Sequence, residues 1–252
     1  MRLNENIAIS TPDILLVPYD AHHVLTYHEW MQDPAIREAT ASDQLTLAEE
    51  FENQASWRTA ADKLTFIVCR PRAEEKRGTA AVVAGVDDAP GRMLGDVNLF
   101  LTPWEPDDED GAGGNGDGDV RYCNGEVDIM IAGPADRGRG LGKAAVVAFL
   151  LFVRRNLGGV LAEYGSAGDD GTEKEKERKL VLRDLVVKIK ATNAGSIALF
   201  GSLGFRRKGE VNYFGEIQMV LEGFGEGGEP AWAAGKMGGY GEVVYDRSQL
   251  KK

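Results

Sequence analysis

The chain has 252 residues, of which 43% are hydrophobic, enough for one large domain with a substantial core. Its 40 acidic residues exceed its 29 basic residues, and the net charge of −11 argues against nucleic acid as a partner. No apolar run approaches the length of a membrane span, and no charged and then apolar leader opens the sequence. Two cysteines, Cys69 and Cys123, are too few for a disulfide framework. We therefore expect a protein of the cytoplasm or another reducing compartment, without a membrane segment.

The first third of the chain predicts a hairpin followed by two helices. Residues 7–9 and 14–17 are apolar runs separated by a Thr-Pro-Asp turn, which is typical of paired strands. Apolar residues then recur at helical spacing over residues 21–31. Thr46 and Glu49 form a capping box that opens the second helix.

The middle of the chain alternates like the strands of one sheet. Residues 63–70 and 93–102 have strand periodicity, and a third run contains Val127, Ile129 and Ile131. Three polar inserts interrupt this pattern, at residues 71–92, 103–124 and 160–182.

Two groups of residues offer metal-ligand atoms, but neither has the right spacing. Positions 1, 3, 5 and 12 of a calcium loop are matched by Asn115, Asp117, Asp119 and Glu126. The glycine that such a loop needs at its sixth position is Val120, and no predicted helices flank it. The only histidines, His22, His23 and His28, lack metal-site spacing, so we interpret them as packing or surface residues. We expect no metal ion.

The segment at residues 125–158 is a strand, a Gly-rich turn and an apolar helix. Pro134 ends the strand, and residues 144–153 are ten consecutive apolar residues, as in a buried helix. The free amides and the dipole at the start of a helix attract anions. Glycines leave the backbone open to a pyrophosphate, and the basic residues add charge-assisted donors. The turn supplies both kinds, Gly138, Gly140 and Gly142 with Arg137, Arg139 and Lys143.

The spacing of the turn distinguishes between known phosphate loops. A Walker loop fails twice, because Arg137 and Ala144 stand where it needs Gly and Ser or Thr. The looser dinucleotide fingerprint fits Gly140, Gly142 and Ala145. Seven residues separate the strand from Gly140, however, whereas that fold turns almost directly from strand to glycine. A dinucleotide-binding enzyme with a parallel sheet stays open as an alternative.

The last third of the chain predicts a strand, a short helix and two closing strands. Residues 185–189 form the strand, and the helix at residues 193–203 is broken by Gly204 and Phe205. Strands follow near residues 206–211 and 216–221. Residues 223–252 are rich in glycine and predict a tail rather than a second domain.

The pattern Arg137-x-x-Gly140-x-Gly142, between a strand and a helix, resembles the acetyl-coenzyme A motif of the GNAT acyltransferase superfamily. The order of the predicted elements matches that superfamily too. The resemblance implies an α/β (α+β) fold in which helices flank a mixed central sheet, with residues 1–222 as one domain.

Further segments resemble the N-acetyltransferase 9-like family over roughly residues 1–221. They are MRLNENIAI at the start of the chain, Tyr27–Met31, Leu45–Leu47, Lys63–Val68, Gly95–Thr102 and Ile129–Ala132. This resemblance implies transfer of acetyl from acetyl-CoA to a protein N-terminal α-amine, tubulin's among them, and a link to microtubule stability. An α-amine is neutral far more often than a lysine at cytosolic pH, an advantage of roughly 3 kcal/mol.

The resemblance also implies which residues contact the cofactor. They are Met130, Ile131, Arg137, Gly138, Arg139, Gly140, Leu141, Gly142, Lys143, Asn193, Ser196 and Phe200. At Phe200 many relatives carry a Tyr that protonates the thiolate, and Phe has no proton to give. A coenzyme-binding protein that acts on microtubules with little catalysis is therefore a second alternative.

Two carboxylates are candidates for the general base. Glu126 and Asp128 lie two apart on a strand and so point to one face of the sheet. The resemblance favours Glu126, whereas a bulge in the strand would favour Asp128. Neither cysteine is close in sequence to a histidine, so we expect direct attack of the amine within a ternary complex.

Overall fold

The computed structural model describes residues 1–73, 80–104, 120–167, 178–225 and 238–250. The strands are β1 (Ile7–Ser10), β2 (Leu15–Pro18), β3 (Lys63–Cys69), β4 (Val82–Val83), β5 (Met93–Pro103), β6 (Val120–Ile131), β7 (Lys179–Lys190), β8 (Arg206–Lys208), β9 (Glu216–Leu221) and β10 (Gly241–Asp246). The α-helices are α1 (Val24–Met31), α2 (Pro34–Ala39), α3 (Leu47–Thr59), α4 (Leu141–Arg155), α5 (Leu157–Ala167) and α6 (Ala194–Ser202).

All ten strands belong to one mixed sheet, in the order β4-β10-β1-β2-β3-β5-β6-β7-β9-β8. The β6–β7 and β10–β4 pairs are parallel, and the remaining pairs are antiparallel. The predicted mixed sheet is therefore confirmed. The dinucleotide alternative requires a parallel sheet, so this alternative is wrong for this chain.

Helices cover both faces of the sheet. The apolar helix α4 packs on one face, where Phe66 of β3 meets Phe149 and Phe152 edge to face, with ring centroids 6.0 and 5.2 Å apart. Because successive strand residues point to opposite faces, Ile67 belongs to a second cluster on the other face, beside α1. As predicted, the apolar stretch of α4 is buried, from Ala145 to Val153.

The parallel pair β6–β7 is hydrogen-bonded along only part of its length. The last pair in its register is Glu126 with Val186, yet β6 continues to Ile131 and β7 to Lys190. Beyond that pair, β6 still pairs with β5 and β7 with β9. The two strands therefore diverge and leave a split in the middle of the sheet.

Most predicted elements are confirmed, including the hairpin, the capping box at Thr46 and the elements that follow the Gly-rich turn. Helix α2 was not predicted, although Asp33 caps it and Pro34 occupies its first position, which is a typical helix start. The boundary of the second insert was wrong, because β6 begins at Val120 and pairs with neighbours on both sides. The boundaries of the third insert were also wrong, because α5 and the start of β7 lie within it. Gly158, the last residue of the predicted strand, turn and helix segment, lies inside α5.

The predicted tail is also wrong in part, because residues 241–246 form β10 inside the sheet. β10 pairs with β1 and with the two-residue strand β4, and Tyr245 is only 2% exposed. A long-range partner, the open edge of β1, determines the structure of this segment, and the local glycine content does not.

Three of the four residues that were compared with a calcium loop, Asn115, Asp117 and Asp119, lie outside the described residues. The fourth position, Glu126, lies in the middle of β6. Among the helices that the structure describes, none is long and apolar enough by itself to span a membrane, although α4 and α5, bent by 73° at their junction, pass that test as a pair.

Candidate active site

The Gly-rich turn presents bare backbone at the start of α4. Gly138 and Gly140 have φ angles of +72° and +82°, which favour glycine. The first amide that bonds into the helix is that of Ala144, to the Gly140 carbonyl at 2.9 Å, and no side chain among the described residues caps the helix. The amides of the first turn are thus available to an anion, as the sequence predicted.

Arg137 holds the shape of this turn. Its Nε donates to the Ile131 carbonyl at 2.8 Å, and its Nη2 donates to the Ala132 carbonyl at 2.9 Å. The guanidinium therefore ties the turn to the end of β6, a role that the sequence did not reveal. The other cations of the turn are the exposed Lys143 and Arg139, whose side chain is 64% exposed and pairs with Asp136 at 3.6 Å.

A cavity of about 660 Å³ lies beside this turn, between α2, the end of β6 and α6. It brings together nine of the predicted cofactor residues, namely Met130, Ile131, Arg137, Gly138, Gly140, Gly142, Lys143, Asn193 and Ser196. Arg139, Leu141 and Phe200 are not part of its lining in the described structure. One wall is α2, the helix that the sequence analysis missed, through Ala35, Ile36 and Ala39. The bare amides, the nearby cations and the elongated cavity fit an acyl-coenzyme A.

Helix α6 supplies the opposite wall. The side chain of Asn193 caps α6 by accepting from the Ser196 amide at 3.1 Å, so Asn193 has the structural role that the sequence allowed. Phe200 lies deeper, is 2% exposed and packs edge to face on Phe205 at 5.1 Å. Its ring lines a second cavity rather than the first.

This second cavity, of about 650 Å³, meets the first one at Ala39, Thr40, Ile129, Met130, Asn193 and Ser196. We call it the acceptor cavity. It lies on the sheet face that carries α1 and α3, and its lining includes Tyr27, Trp57, Asp96, Asn98, Phe100, Glu126, Asp128, Lys188, Phe200, Phe214 and Glu216. Both predicted carboxylates point into it, which confirms that they share one face of β6.

The two carboxylates are in different electrostatic states. Glu126 accepts from the Lys188 ammonium at 2.6 Å, and this ion pair satisfies its charge. For Asp128, burial raises the pKa to about 7, and the negative charges of Glu126 and Asp96 add to the effect. A group with that pKa accepts a proton readily at neutral pH.

The described residues hold one group with the ligand types of a metal site, formed by His22, His23 and Asp88. The His23 Nδ1 accepts from the Asp20 amide at 3.0 Å, so the proton of the neutral ring is on Nε2, which donates to Asp88 at 3.0 Å. A metal would need the lone pair of that same Nε2. The cluster is better explained as hydrogen bonding around Asp88, which also accepts from Tyr245. In this cluster His23 is fully buried and His22 is partly buried.

Comparison with known proteins agrees with this geometry. Residues 13–206 match the family model described as acetyltransferase (GNAT) domain. An N-acetyltransferase 9-like protein of Caenorhabditis briggsae is 39% identical over 225 residues, covering 88% of this chain and 89% of that protein. The alpha/beta-tubulin-N-acetyltransferase 9 of Drosophila melanogaster is 36% identical, over 87% of this chain and 88% of that protein.

A solved structure supports the fold. The crystal structure of spermidine N-acetyltransferase from Vibrio cholerae in complex with CoA and spermine matches with a TM-score of 0.53, at 12% identity over 85% of this chain and 98% of that one. The family match, the relatives and the site together leave one assignment. The chain belongs to the N-acetyltransferase 9-like family of GNAT proteins and is an acetyl-CoA-dependent N-acetyltransferase.

Proposed function

We propose that the chain acetylates the N-terminal α-amine of a protein, by direct attack in a ternary complex with Asp128 as the general base. The observation that carries this proposal is the position of Asp128, which lines the acceptor cavity directly before Ile129 and Met130, two of the residues at which that cavity meets the coenzyme cavity. Relatives named alpha/beta-tubulin-N-acetyltransferase 9 make tubulin the first substrate to test.

Asp128 is a better base than Glu126, which the sequence analysis preferred. Glu126 is held by Lys188 and would have to leave an ion pair before it could accept a proton. In the proposed reaction, bound acetyl-CoA supplies the thioester carbonyl. The amine nitrogen forms the new C–N bond, the C–S bond breaks, and Asp128 takes the proton that the nitrogen loses.

Two further observations support direct transfer. The two cavities lie side by side, so both substrates can be bound together. Cys69 and Cys123 are buried, and burial raises the pKa of both thiols, which suppresses the thiolate that a covalent acyl-enzyme would need. Two buried free cysteines also agree with a reducing cytoplasmic compartment, which remains part of the proposal.

The rim of the acceptor cavity favours a polypeptide substrate. Phe214 lines the cavity and is 69% exposed, and the adjacent Tyr213 is 97% exposed. Exposed aromatic side chains beside a cavity are typical of surfaces that bind another chain. A small amine would leave them uncovered.

The departing thiolate receives no proton from position 200, because Phe200 is buried against Phe205 and has no hydroxyl. A thiol with a pKa near 8.5 is a good leaving group without protonation. Phe200 is therefore compatible with catalysis, and we expect Phe200→Tyr to change kcat little.

Mass spectrometry of peptides tests the proposal. Peptides with tubulin N-termini and a free α-amine should gain one acetyl group, and matched peptides with a blocked α-amine and a free lysine should not. Asp128→Asn should lower kcat at least about 100-fold, whereas Glu126→Gln should have a much smaller effect. Acetylation of the lysine peptides alone would contradict the substrate, and parallel lines in a double-reciprocal plot would contradict the ternary complex.

A further inference from the structure

A second buried acid, Asp96 on β5, lies beside Asp128 in the acceptor cavity. Asp96 is 3% exposed and lines the same cavity. In the β5–β6 register Asn98 stands opposite Asp128, and Asp96 stands opposite Met130. Asp96 and Asp128 are therefore diagonal neighbours on one face of the sheet, with Cβ atoms about 7 Å apart.

Asn98 is bonded to Asp96 and stands opposite Asp128 in the strand register. Its Nδ2 donates to Asp96 Oδ2 at 2.8 Å, and the Tyr27 hydroxyl donates to the same oxygen at 3.4 Å. The other amide atom, Oδ1 of Asn98, has no hydrogen-bond partner among the described residues. Because Asn98 is only 5% exposed, this oxygen is buried as well. A buried acceptor without a partner is costly unless a ligand satisfies it, and Asn98 is one of the residues that line the acceptor cavity.

The other charges around the cavity cancel in pairs. Lys188 pairs with Glu126 at 2.6 Å, and Lys190 pairs with Glu216 at 3.2 Å. Asp96 and Asp128 thus remain as the acids without a cationic partner among the described residues that line the cavity. On the far side of Asp96 lie the uncharged Tyr27 and Tyr19 and the buried Glu50, which faces His28 at 3.9 Å.

We propose that Asp96 is a positioning residue for acetyl transfer, which keeps Asp128 strongly basic through its charge and turns the Asn98 amide oxygen toward the ammonium of a primary amine. This inference rests on the proposed role of Asp128. An ammonium brings three N–H donors and a positive charge. The site offers three acceptors, the carboxylates of Asp128 and Asp96 and the amide oxygen of Asn98, and it has excess negative charge. Primary amines therefore fit it better than secondary amines or hydroxyl groups.

The titration behaviour of the two acids agrees with this geometry. Burial raises the pKa of Asp96 to about 6, against the hydrogen bonds from Asn98 and Tyr27, so Asp96 is mostly ionised at neutral pH. Its charge is one of the influences that raise the pKa of Asp128. Removing that charge should make Asp128 a weaker base.

Carbon-13 NMR titration of the side-chain carboxyl groups tests the inference without requiring activity. The Asp128 signal is assigned with Asp128→Asn and followed in the wild type, in Asp96→Asn and in Tyr27→Phe. Asp96→Asn should lower the Asp128 midpoint by about one pH unit or more, as expected for a unit charge about 7 Å away at an effective dielectric near 20. Tyr27→Phe should lower it by less, because it removes only one hydrogen bond that stabilises the Asp96 charge.

Glu50→Gln is the matched control. It removes a buried carboxylate that acts on the same tyrosines and should leave the Asp128 midpoint unchanged. If the Asp128 titration midpoint in both Asp96→Asn and Tyr27→Phe equals that of the wild type, the inference is overturned. Should Asp96→Asn fail to fold, Tyr27→Phe alone decides.

Kinetics then separate this inference from the proposed function. The acid limb of the kcat/KM profile should move down with the NMR midpoint in Asp96→Asn, and it should not move in Glu50→Gln. If the wild type acetylates peptides and Asp96→Asn leaves the acid limb of the kcat/KM profile unchanged, only the role of Asp96 is rejected. A wild type that acetylates no α-amine would reject the proposed function, whatever the NMR midpoint does.

Discussion

Gly142→Ala should make the protein more stable and weaken its affinity for acetyl-CoA. Gly142 lies in the first turn of α4, and an added Cβ would meet Leu199 at 3.5 Å and Ile131 at 3.7 Å, which are ordinary contacts. Alanine is favoured over glycine within a helix by about 0.5–1 kcal/mol. For a protein of this size, that gain raises the Tm by about 1–4 °C.

The same methyl group would stand in the coenzyme cavity, which Gly142 lines, and keep a diphosphate from the bare amides. Losing one hydrogen bond to a charged group costs about 1.5–3 kcal/mol, which corresponds to about tenfold to a hundredfold weaker binding. Calorimetry with acetyl-CoA measures the affinity, and a thermal melt without ligand measures the stability.

Gly91→Ala is the matched control for this experiment. Gly91 lies outside both cavities, and its added Cβ would meet no described atom within 4 Å. It should leave the affinity for acetyl-CoA unchanged. If Gly142→Ala bound acetyl-CoA as tightly as the wild type does, the diphosphate could not rest on the amides of this turn.

Three further changes test other parts of the structure. Burial lowers the pKa of His23, so below pH 6.5 the unfolded chain binds a proton that the folded protein does not; the contribution of His23 to stability should therefore fall as the pH drops from 7 to 5, and the Tm difference between the wild type and His23→Gln should narrow over that range in thermal melts. Tyr245→Ala removes a side chain that is 2% exposed and should cost about 3 kcal/mol, lowering the Tm by about 6–12 °C; an unchanged Tm would mean that β10 does not belong to the sheet. Tyr213→Ala should leave stability within about 0.5 kcal/mol, because this side chain is 97% exposed, and should raise KM severalfold for a peptide but not for a small amine.

The coenzyme turn could be predicted from the sequence because its physics is local. Glycines with positive φ, free amides at a helix start and nearby cations all lie within seven residues, from Arg137 to Lys143. Even here the role of Arg137 was hidden. Its bonds to the carbonyls of Ile131 and Ala132 depend on how the chain turns after β6, which no spacing rule gives.

The acceptor cavity could be predicted only in part, because its residues come from distant segments. The sequence showed that Glu126 and Asp128 share a face, but not that Lys188, 62 positions after Glu126, would neutralise the first of them. Asp96 was visible only as a residue of a predicted strand. Its burial beside Tyr27 depends on the packing of α1 against the sheet.

The divergence of β6 and β7 explains why these distant residues form one site. Where the strands separate, their facing backbone groups lose the partners that a continuous sheet would provide, and such groups need hydrogen bonds from elsewhere. An extended ligand that carries amide groups, such as the pantetheine arm of coenzyme A, can supply them. Asp128 lies two residues beyond the last paired residue of β6, and Lys188 lies two beyond that of β7. We therefore expect a ligand that enters the split from the coenzyme side to present its reactive end beside Asp128, the proposed base, in the acceptor cavity.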